Sequence, residues 1–472
     1  MQPELIQRFI AIVGEQYALS GKDELTHYTH ENRGLFVGKT PLVLKPVTTQ
    51  EVSQIMRLAS ETQTAIVPQG GHTGHVGGAV SDESGSQIVV SLERMNRIRE
   101  LDLDSNALVC EAGCILQNIQ QLADENNLLF PLALGSQGSC QIGGNISTNA
   151  GGTGVLAYGN TRQLVMGLEV VLPSGEVWNG LRRLKKDNTG YDLKDLFIGA
   201  EGTLGIVTAA VLKLFPKPKG KAVAFCGMKR VEDAISLLKL ANEHAGQSLT
   251  AFEFMARTPV RLTVEKMDGV RNPLTSFHNW HVLIEISSGI SEADASDMLE
   301  TILAKPLEMG LIEDAALASS ISQQKDFWRL RETMPLAQKQ AGGSMKHDIS
   351  IPIHRIPEFL NAADSVVLSQ IPEARLYTFG HLGDGNIHYN ITQPQDADEN
   401  AFLAQQPQVN DLIHALVVEF DGSVAAEHGV GQLKRDLIAK TKDPVELQLM
   451  CTIKRSIDPD NIMNPGKVVI VN

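Results

Sequence analysis

The sequence has no CxxC pair, no transmembrane stretch, no internal repeat and no surplus of basic charge, and each absence removes a class of protein. Five cysteines, Cys110, Cys114, Cys140, Cys226 and Cys451, are an odd number without metal-type spacing, so they read as reduced thiols and a cytoplasmic location is expected. A formal net charge of −14 argues against broad binding to nucleic acid or anionic membrane, because a phosphate backbone would repel the average surface. The opening MQPELIQRFIAIVGEQYALSGKDE carries acids early and lacks a basic segment followed by a long apolar run. It reads as a short amphipathic helix rather than a secretory signal or a membrane span.

What is present is an ordinary globular composition, 43% hydrophobic and 20% charged, with 41 glycines spread along the chain. A chain of 472 residues exceeds what one core supports, which is ~250 to 300 residues, so two or three domains are expected. After PLVLKPV, the run TTQEVSQIMRLASETQ predicts a helix, with Thr48 and Glu51 as a capping box and Val52, Ile55, Met56 and Ala59 at helical spacing. Ala65, Ile66 and Val67 predict a buried strand opening into a loop with Gly70, Gly71, Gly74, Gly77 and Gly78. SQIVVSL and ALVCEAG read as strands and ILQNIQQLADEN as a helix. PLALGSQGSCQIGGNISTNAGGTG is a second glycine tract, and MGLEVVLPSGEVW is a strand, a turn and a strand. The prolines and lysines of FPKPKG mark a domain boundary. Beyond it, helices such as EDAISLLKLANEHA alternate with strands such as HVLIEISS and MKHDISIP, predicting an α+β domain.

Loops packed with glycine let backbone N–H groups approach a pyrophosphate, since no Cβ blocks the way. Two such loops point to a dinucleotide. Neither has GxGxxG spacing with an acidic residue ~20 positions on, so a nicotinamide-binding domain is the weaker reading. The ordered set PQGGHTGHVGG, GSQGSCQIGGNISTNAGGTG and NTGYDLKDLFIGAEGTLGIVT resembles the FAD-binding half of the vanillyl-alcohol-oxidase-type (PCMH-type) flavoproteins, most strongly their D-2-hydroxyglutarate and D-lactate dehydrogenase branch. That resemblance implies an α+β fold: a two-subdomain FAD-binding domain over residues 1–217 (core about 36–215), and an α+β substrate domain with an antiparallel sheet over 218–425 that carries a metal site. A segment over 426–472 would return to the flavin. It further implies FAD contacts from Pro68, Gly70, Gly71, His72, Thr73, Gly74, Gly77 and Gly78, then from Gly135, Ser136, Gly143, Gly144, Asn145, Ser147, Asn149 and Gly152, and finally from Glu201, Gly202, Ile206 and Asn464. Relatives outside the branch carry a histidine at the place of His72 that bonds covalently to the flavin; a hydrogen-bonding or surface role is expected here.

In TFGHLGDGNIHYN the pair Asp384-Gly385 signals a two-residue hairpin turn. Counting outward from it sets His381 opposite His388, with Cβ atoms ~5 Å apart, the separation two imidazoles need to share a metal ion. Asn390 lies two residues on and shares that face. SVAAEHGVGQ offers Glu427 as a third ligand and His428 as a base, roles that HxxDGNxH and AEHGxG carry in the resembling dehydrogenases. Two imidazoles and a carboxylate suit zinc and also manganese, cobalt or iron. Arg331 and Lys346 match the carboxylate-binding pair of D-2-hydroxyglutarate dehydrogenases, while the family's threonine four residues after the arginine falls at Pro335. The expected activity is FAD- and metal-dependent oxidation of D-2-hydroxyglutarate, and of D-malate, to the 2-oxo acid. His428 would take the hydroxyl proton and flavin N5 the hydride. The expected electron acceptor is an electron-transfer flavoprotein or a quinone-type carrier, and the candidate assembly is a homodimer. The alternatives are a D-lactate or glycolate dehydrogenase of the same family, a flavin-bearing subunit of a larger redox complex, and a metallohydrolase that would leave both glycine loops unexplained.

Overall fold

A computed structural model describes residues 1–31 and 33–471, which divide into two compact units. One comprises residues 1–152, 159–216 and 427–472; the other comprises 153–158 and 217–426. The change of unit at Pro216 falls in the proline-lysine stretch. The short excursion of Thr153–Tyr158 into the second unit has no counterpart in the sequence reading.

In the first unit a four-stranded sheet runs in the order Ala18–Leu19, Val43–Leu44, Ile88–Ser91, Ile66–Gln69, with the last three mutually parallel. Helix Thr49–Thr62 packs on it because Val52, Ile55, Met56 and Ala59 form one apolar stripe, all fully buried. The Thr48 hydroxyl accepts the Glu51 N–H at 3.1 Å, as a capping residue should. The Glu51 carboxylate reaches one residue further back than a capping box requires, to the Val47 N–H at 2.8 Å. A second, wholly antiparallel sheet has the order Ile98–Asp102, Ala107–Glu111, Ile206–Lys213, Val165–Val171, Val177–Gly180.

The chain's last segment returns to the first sheet. Ile66 N–H donates to the Ile462 carbonyl and Asn464 N–H donates to the Ile66 carbonyl, each at 2.8 Å. This parallel bridge covers the outer edge of strand Ile66–Gln69, where unpaired backbone groups would otherwise face outward. Lys454 fastens the return. Its buried ammonium donates to the carbonyls of Thr203 and Met463 at 2.8 Å and to the Asp458 carboxylate, which in turn accepts the N–H groups of Ile462 and Met463.

The second unit is built on one antiparallel sheet, in the order Asp314–Leu317, Gly220–Met228, Trp280–Ser288, Leu249–Ala256, Arg375–His381, Asn386–Thr392, Ser344–Met345. Strand Asp348–Ser350 also pairs with Asn386–Thr392. Side chains alternate across the pleat, so Val223, Phe225, Leu283, Tyr377 and Phe379 share a face with Leu262, Phe327 and Leu330 of the helices laid on it. The α+β class expected from the sequence is what the two units show. No helix of the described residues is long and apolar enough to cross a membrane.

Candidate active site: a glycine-lined cavity and a histidine hairpin

Strand Ile66–Gln69 ends where the chain turns into its glycine tract, and a cavity opens there within the first unit. Its wall is made by Pro68, Gly70, Gly71, His72, Thr73, Gly74 and Gly78 from this tract, then by Gly143, Gly144, Asn145 and Ser147, and finally by Glu201, Gly202 and Ile206. A Cβ on Gly71 would sit 2.2 Å from the Ser139 carbonyl oxygen, so only glycine allows the two tracts to lie this close. Two buried acceptors on the wall, Gln141 Oε1 and Asn145 Oδ1, have no hydrogen-bond partner among the described residues. Buried polar atoms are rarely left unpaired, so these mark where a polar ligand belongs. Glycines that bring backbone close, with acceptors poised for imide or hydroxyl donors, fit FAD.

The cavity's rim is held by strained backbone. His72 and Glu201 have φ of 55° and 50°, a region that side chains other than Gly and Asn rarely adopt. Burial lowers the His72 pKa, and its Nε2 lies 2.8 Å from the His30 carbonyl oxygen. The Glu201 carboxylate accepts the N–H groups of Val430 and Gly431 at 2.7 and 2.8 Å. Burial nevertheless raises its pKa, because desolvation outweighs those two bonds and the pull of Lys434. Glu201 therefore clamps the loop that carries His428, whose ring lines the cavity and meets His75 edge-on at 5.0 Å.

In the second unit strands Arg375–His381 and Asn386–Thr392 form the expected hairpin in a different register. His381 stands opposite Asn386, and His388 opposite Phe379. The connection is the four-residue loop 382–385 rather than Asp384-Gly385 alone; Gly385 takes φ 79° and the Asp384 carboxylate accepts the Asn386 N–H at 3.1 Å. A shift of two residues preserves the side-chain face, since strand side chains repeat every two. The two imidazoles accordingly stay close, with ring centroids 5.8 Å apart. His381 Nδ1 lies 2.6 Å from Glu253 Oε1. A carboxylate only accepts, so Nδ1 carries the proton and Nε2 the lone pair. An imidazole oriented in this way, beside a second one, fits a divalent metal ion.

Residues 40–180 match the FAD binding domain and residues 217–468 match the C-terminal domain of FAD-linked oxidases. The chain is 40% identical over 466 residues to the mitochondrial D-2-hydroxyglutarate dehydrogenase of Arabidopsis thaliana, covering 98% of this chain and 81% of that one. This chain belongs to the FAD-linked oxidase family. Among its relatives is also a D-2-hydroxyglutarate–pyruvate transhydrogenase of Saccharomyces cerevisiae, 36% identical over 460 residues and covering 95% and 90% of the two chains. The fold is shared with p-cresol methylhydroxylase, with a TM-score of 0.78 at 16% identity over 99% of this chain and 96% of that one. It is an FAD-dependent oxidoreductase.

The remaining residues singled out in this FAD-linked oxidase are distributed as follows. Gly77, Gly135, Ser136, Asn149, Gly152 and Asn464 stand outside the cavity wall. Gly77 lies against the Phe36 ring and Gly152 under the Ala133 carbonyl. The Ser136 carbonyl closes a turn on Cys140, directly after Gly135. Asn149 Oδ1 accepts the Arg162 N–H, and the Asn464 amide donates to the carbonyls of Gly78 and Glu201, bracing the cavity from behind. Gln141 and Cys140 line the cavity and escaped the sequence reading, although a glutamine just ahead of a paired glycine in QIGGN was a usable signal. Arg331 closes helix Ile321–Glu332 and is buried, its guanidinium 4.7 Å from the Phe379 ring centroid and 2.7 Å from Glu253 Oε2. Its Nε has no hydrogen-bond partner among the described residues. Pro335 occupies the first turn of helix Met334–Gln340, where a missing N–H costs nothing.

Lys346 falls outside the strand expected over MKHDISIP, which is broken in two. It is exposed in the two-residue gap between Ser344–Met345 and Asp348–Ser350, because the neighbouring His347 N–H leaves the ladder to donate to Asn390 Oδ1 at 3.2 Å. The Asn390 amide also donates to Gln338 Oε1 at 3.0 Å, leaving it one N–H and one lone pair. Glu427 and His428 lie half-buried in irregular chain at the start of the returning segment.

Proposed function

We propose that this FAD-dependent oxidoreductase oxidises the 2-hydroxyl of a short D-2-hydroxy dicarboxylate, D-2-hydroxyglutarate foremost and D-malate second, to the 2-oxo acid. The observation that carries the substrate class is Arg331, a guanidinium 6% exposed that retains an unpartnered N–H. A buried donor of fixed positive charge calls for an anionic oxygen, and arginine grips a carboxylate through parallel hydrogen bonds. Lys346 supplies a second cation for the second carboxylate, and the remaining N–H of Asn390 a polar contact. The name of the Arabidopsis relative agrees with this choice.

Bound FAD supplies a two-electron acceptor, and a divalent ion on His381, His388 and Glu427, zinc first and manganese, cobalt or iron as alternatives, supplies Lewis acidity toward the hydroxyl. His428 takes the hydroxyl proton at its imidazole as the C2–H bond breaks with its electron pair and the C2=O bond forms. Arg331 fixes the substrate's orientation meanwhile. Electrons then leave to an electron-transfer flavoprotein or a quinone-type carrier rather than to oxygen. A cytoplasmic location rests on the unpaired thiols alone, and the Arabidopsis relative is named mitochondrial.

A second reading, oxidation of D-lactate or glycolate, is favoured by one observation: Lys346 is exposed and lies outside the strands. Anaerobic titration of the flavin-loaded protein with D-2-hydroxyglutarate, D-malate, D-lactate and their L-isomers, read as bleaching of the flavin band, separates the two. Lys346→Ala is expected to weaken the dicarboxylates more than lactate; equal losses on all three would remove the carboxylate-pair reasoning. Reoxidation of the reduced protein by an electron-transfer flavoprotein, a quinone analogue, pyruvate and air identifies the acceptor, and rapid peroxide formation in air would place the enzyme among the oxidases.

A further inference from the structure

Glu253 attracted no notice in the sequence, yet it touches two of the residues on which the proposed function depends. It sits on strand Leu249–Ala256 directly opposite His381 in the antiparallel ladder, so their side chains are neighbours by backbone register alone. The carboxylate is 1% exposed. One oxygen lies 2.6 Å from His381 Nδ1 and the other 2.7 Å from Arg331 Nη2. Phe379, two residues before His381 on the same strand face, underlies the Arg331 guanidinium.

We propose that Glu253 is a positioning residue that couples metal binding to carboxylate binding. The inference rests on the proposed function, in which His381 is a metal ligand and Arg331 receives a substrate carboxylate. A buried carboxylate is costly unless charges and hydrogen bonds compensate it, and a guanidinium that keeps its proton is a durable partner. With one oxygen committed to Arg331, the other accepts from His381 Nδ1 and sets the tautomer that presents Nε2 as a ligand. The rigid carboxylate, with an oxygen on each partner, then fixes the spacing between imidazole and guanidinium. That spacing is the distance over which one substrate must reach both the metal and its anchor. An engaged metal holds His381, which holds Glu253, which holds Arg331.

The test uses the flavin-loaded full chain and its Glu253→Ala and Glu253→Gln variants. Affinity for Zn2+ or Mn2+ is read by competition with a chromophoric chelator, and affinity for 2-oxoglutarate by its perturbation of the oxidised flavin spectrum with and without metal; neither needs turnover. Glu253→Ala is expected to weaken the metal by about 10- to 100-fold, the effect typical of losing a partner behind a ligating histidine. It is also expected to abolish the gain in 2-oxoglutarate affinity that metal confers on the wild type. Glu253→Gln is isosteric but offers one acceptor to two donors, so it must lose at least one of the two affinities, which keeps the test decisive if Glu253→Ala fails to fold. Folded variants with both affinities within twofold of wild type would overturn the inference and leave the proposed function standing. A wild-type chain that binds neither ion would overturn both.

Discussion

Replacing Glu201 tests whether the loop that carries His428 depends on a clamp at its base. The Glu201 carboxylate receives the backbone N–H groups of Val430 and Gly431 at 2.7 and 2.8 Å, and a Cβ on Gly429 would come within 2.7 Å of it. Glu201→Ala strands one buried donor, Gly431 N–H, and one half-buried donor, Val430 N–H, at roughly 1–3 kcal/mol each, while releasing an anion that burial already disfavours. The net destabilisation expected is about 2–4 kcal/mol, and about 1–2 kcal/mol for Glu201→Gln, whose amide oxygen keeps one bond. His428 lies two residues before Val430. Since a displacement of ~1 Å can cost roughly 100-fold in rate, flavin reduction in Glu201→Ala should slow by about that factor. The pH dependence has a definite sign. The folded-state pKa of Glu201 is raised above the ordinary 4.5 of a glutamate, so this group's contribution to stability is full below that pH and declines as pH rises through the folded value. Glu201→Gln lacks that decline, and its deficit against wild type should be smaller at pH 7 than at pH 4. The measurements are chemical denaturation at both pH values and stopped-flow bleaching of the flavin. Wild-type stability and reduction rate in Glu201→Ala would refute the clamp.

Further substitutions address the cavity, the returning segment and a buried histidine. Gly71→Ala places a methyl 2.2 Å from the Ser139 carbonyl, so the purified variant should carry little FAD by absorbance; full flavin loading would contradict the close approach of the two tracts. Lys454→Met leaves the buried Asp458 carboxylate without its cation and should destabilise the chain by about 3–5 kcal/mol in denaturant; wild-type stability would contradict the fastening role of Lys454. Burial depresses the pKa of His281 from 6.5 to about 4, so its contribution to stability is present above pH 6.5 and is lost as pH falls toward 4. That loss amounts to about 3 kcal/mol, and denaturation curves of His281→Phe should lack it.

The features legible in the sequence were those written locally. Glycine tracts announce close backbone approach, and the apolar stripe at Val52, Ile55, Met56 and Ala59 announces a helix with a buried face. The hairpin at His381 and His388 was legible as a face and not as a register. Asp-Gly is the commonest two-residue turn signal, but Leu382 and Gly383 join it in a longer loop, and the two-residue slip cancels because strand faces repeat every two residues. The strand pattern of MKHDISIP does not show that the His347 N–H leaves the ladder to donate to Asn390. Glu253 lies 128 positions from His381 and Glu201 lies 229 from Val430, and such partnerships leave no trace in nearby residues. Sheet order brings them together.

The bridge from Ile462 and Asn464 to Ile66 also governs the order in which the chain becomes an enzyme. A ribosome delivers residue 66 long before residue 464, with the whole second unit made in between. Until residues 427–464 have been made, the first sheet keeps an open edge and Glu201 has no loop to clamp. The second unit, made from nearly continuous chain, can fold while translation proceeds. The first must wait for residues 462–464, so the glycine-lined cavity is completed only after the second unit has been made.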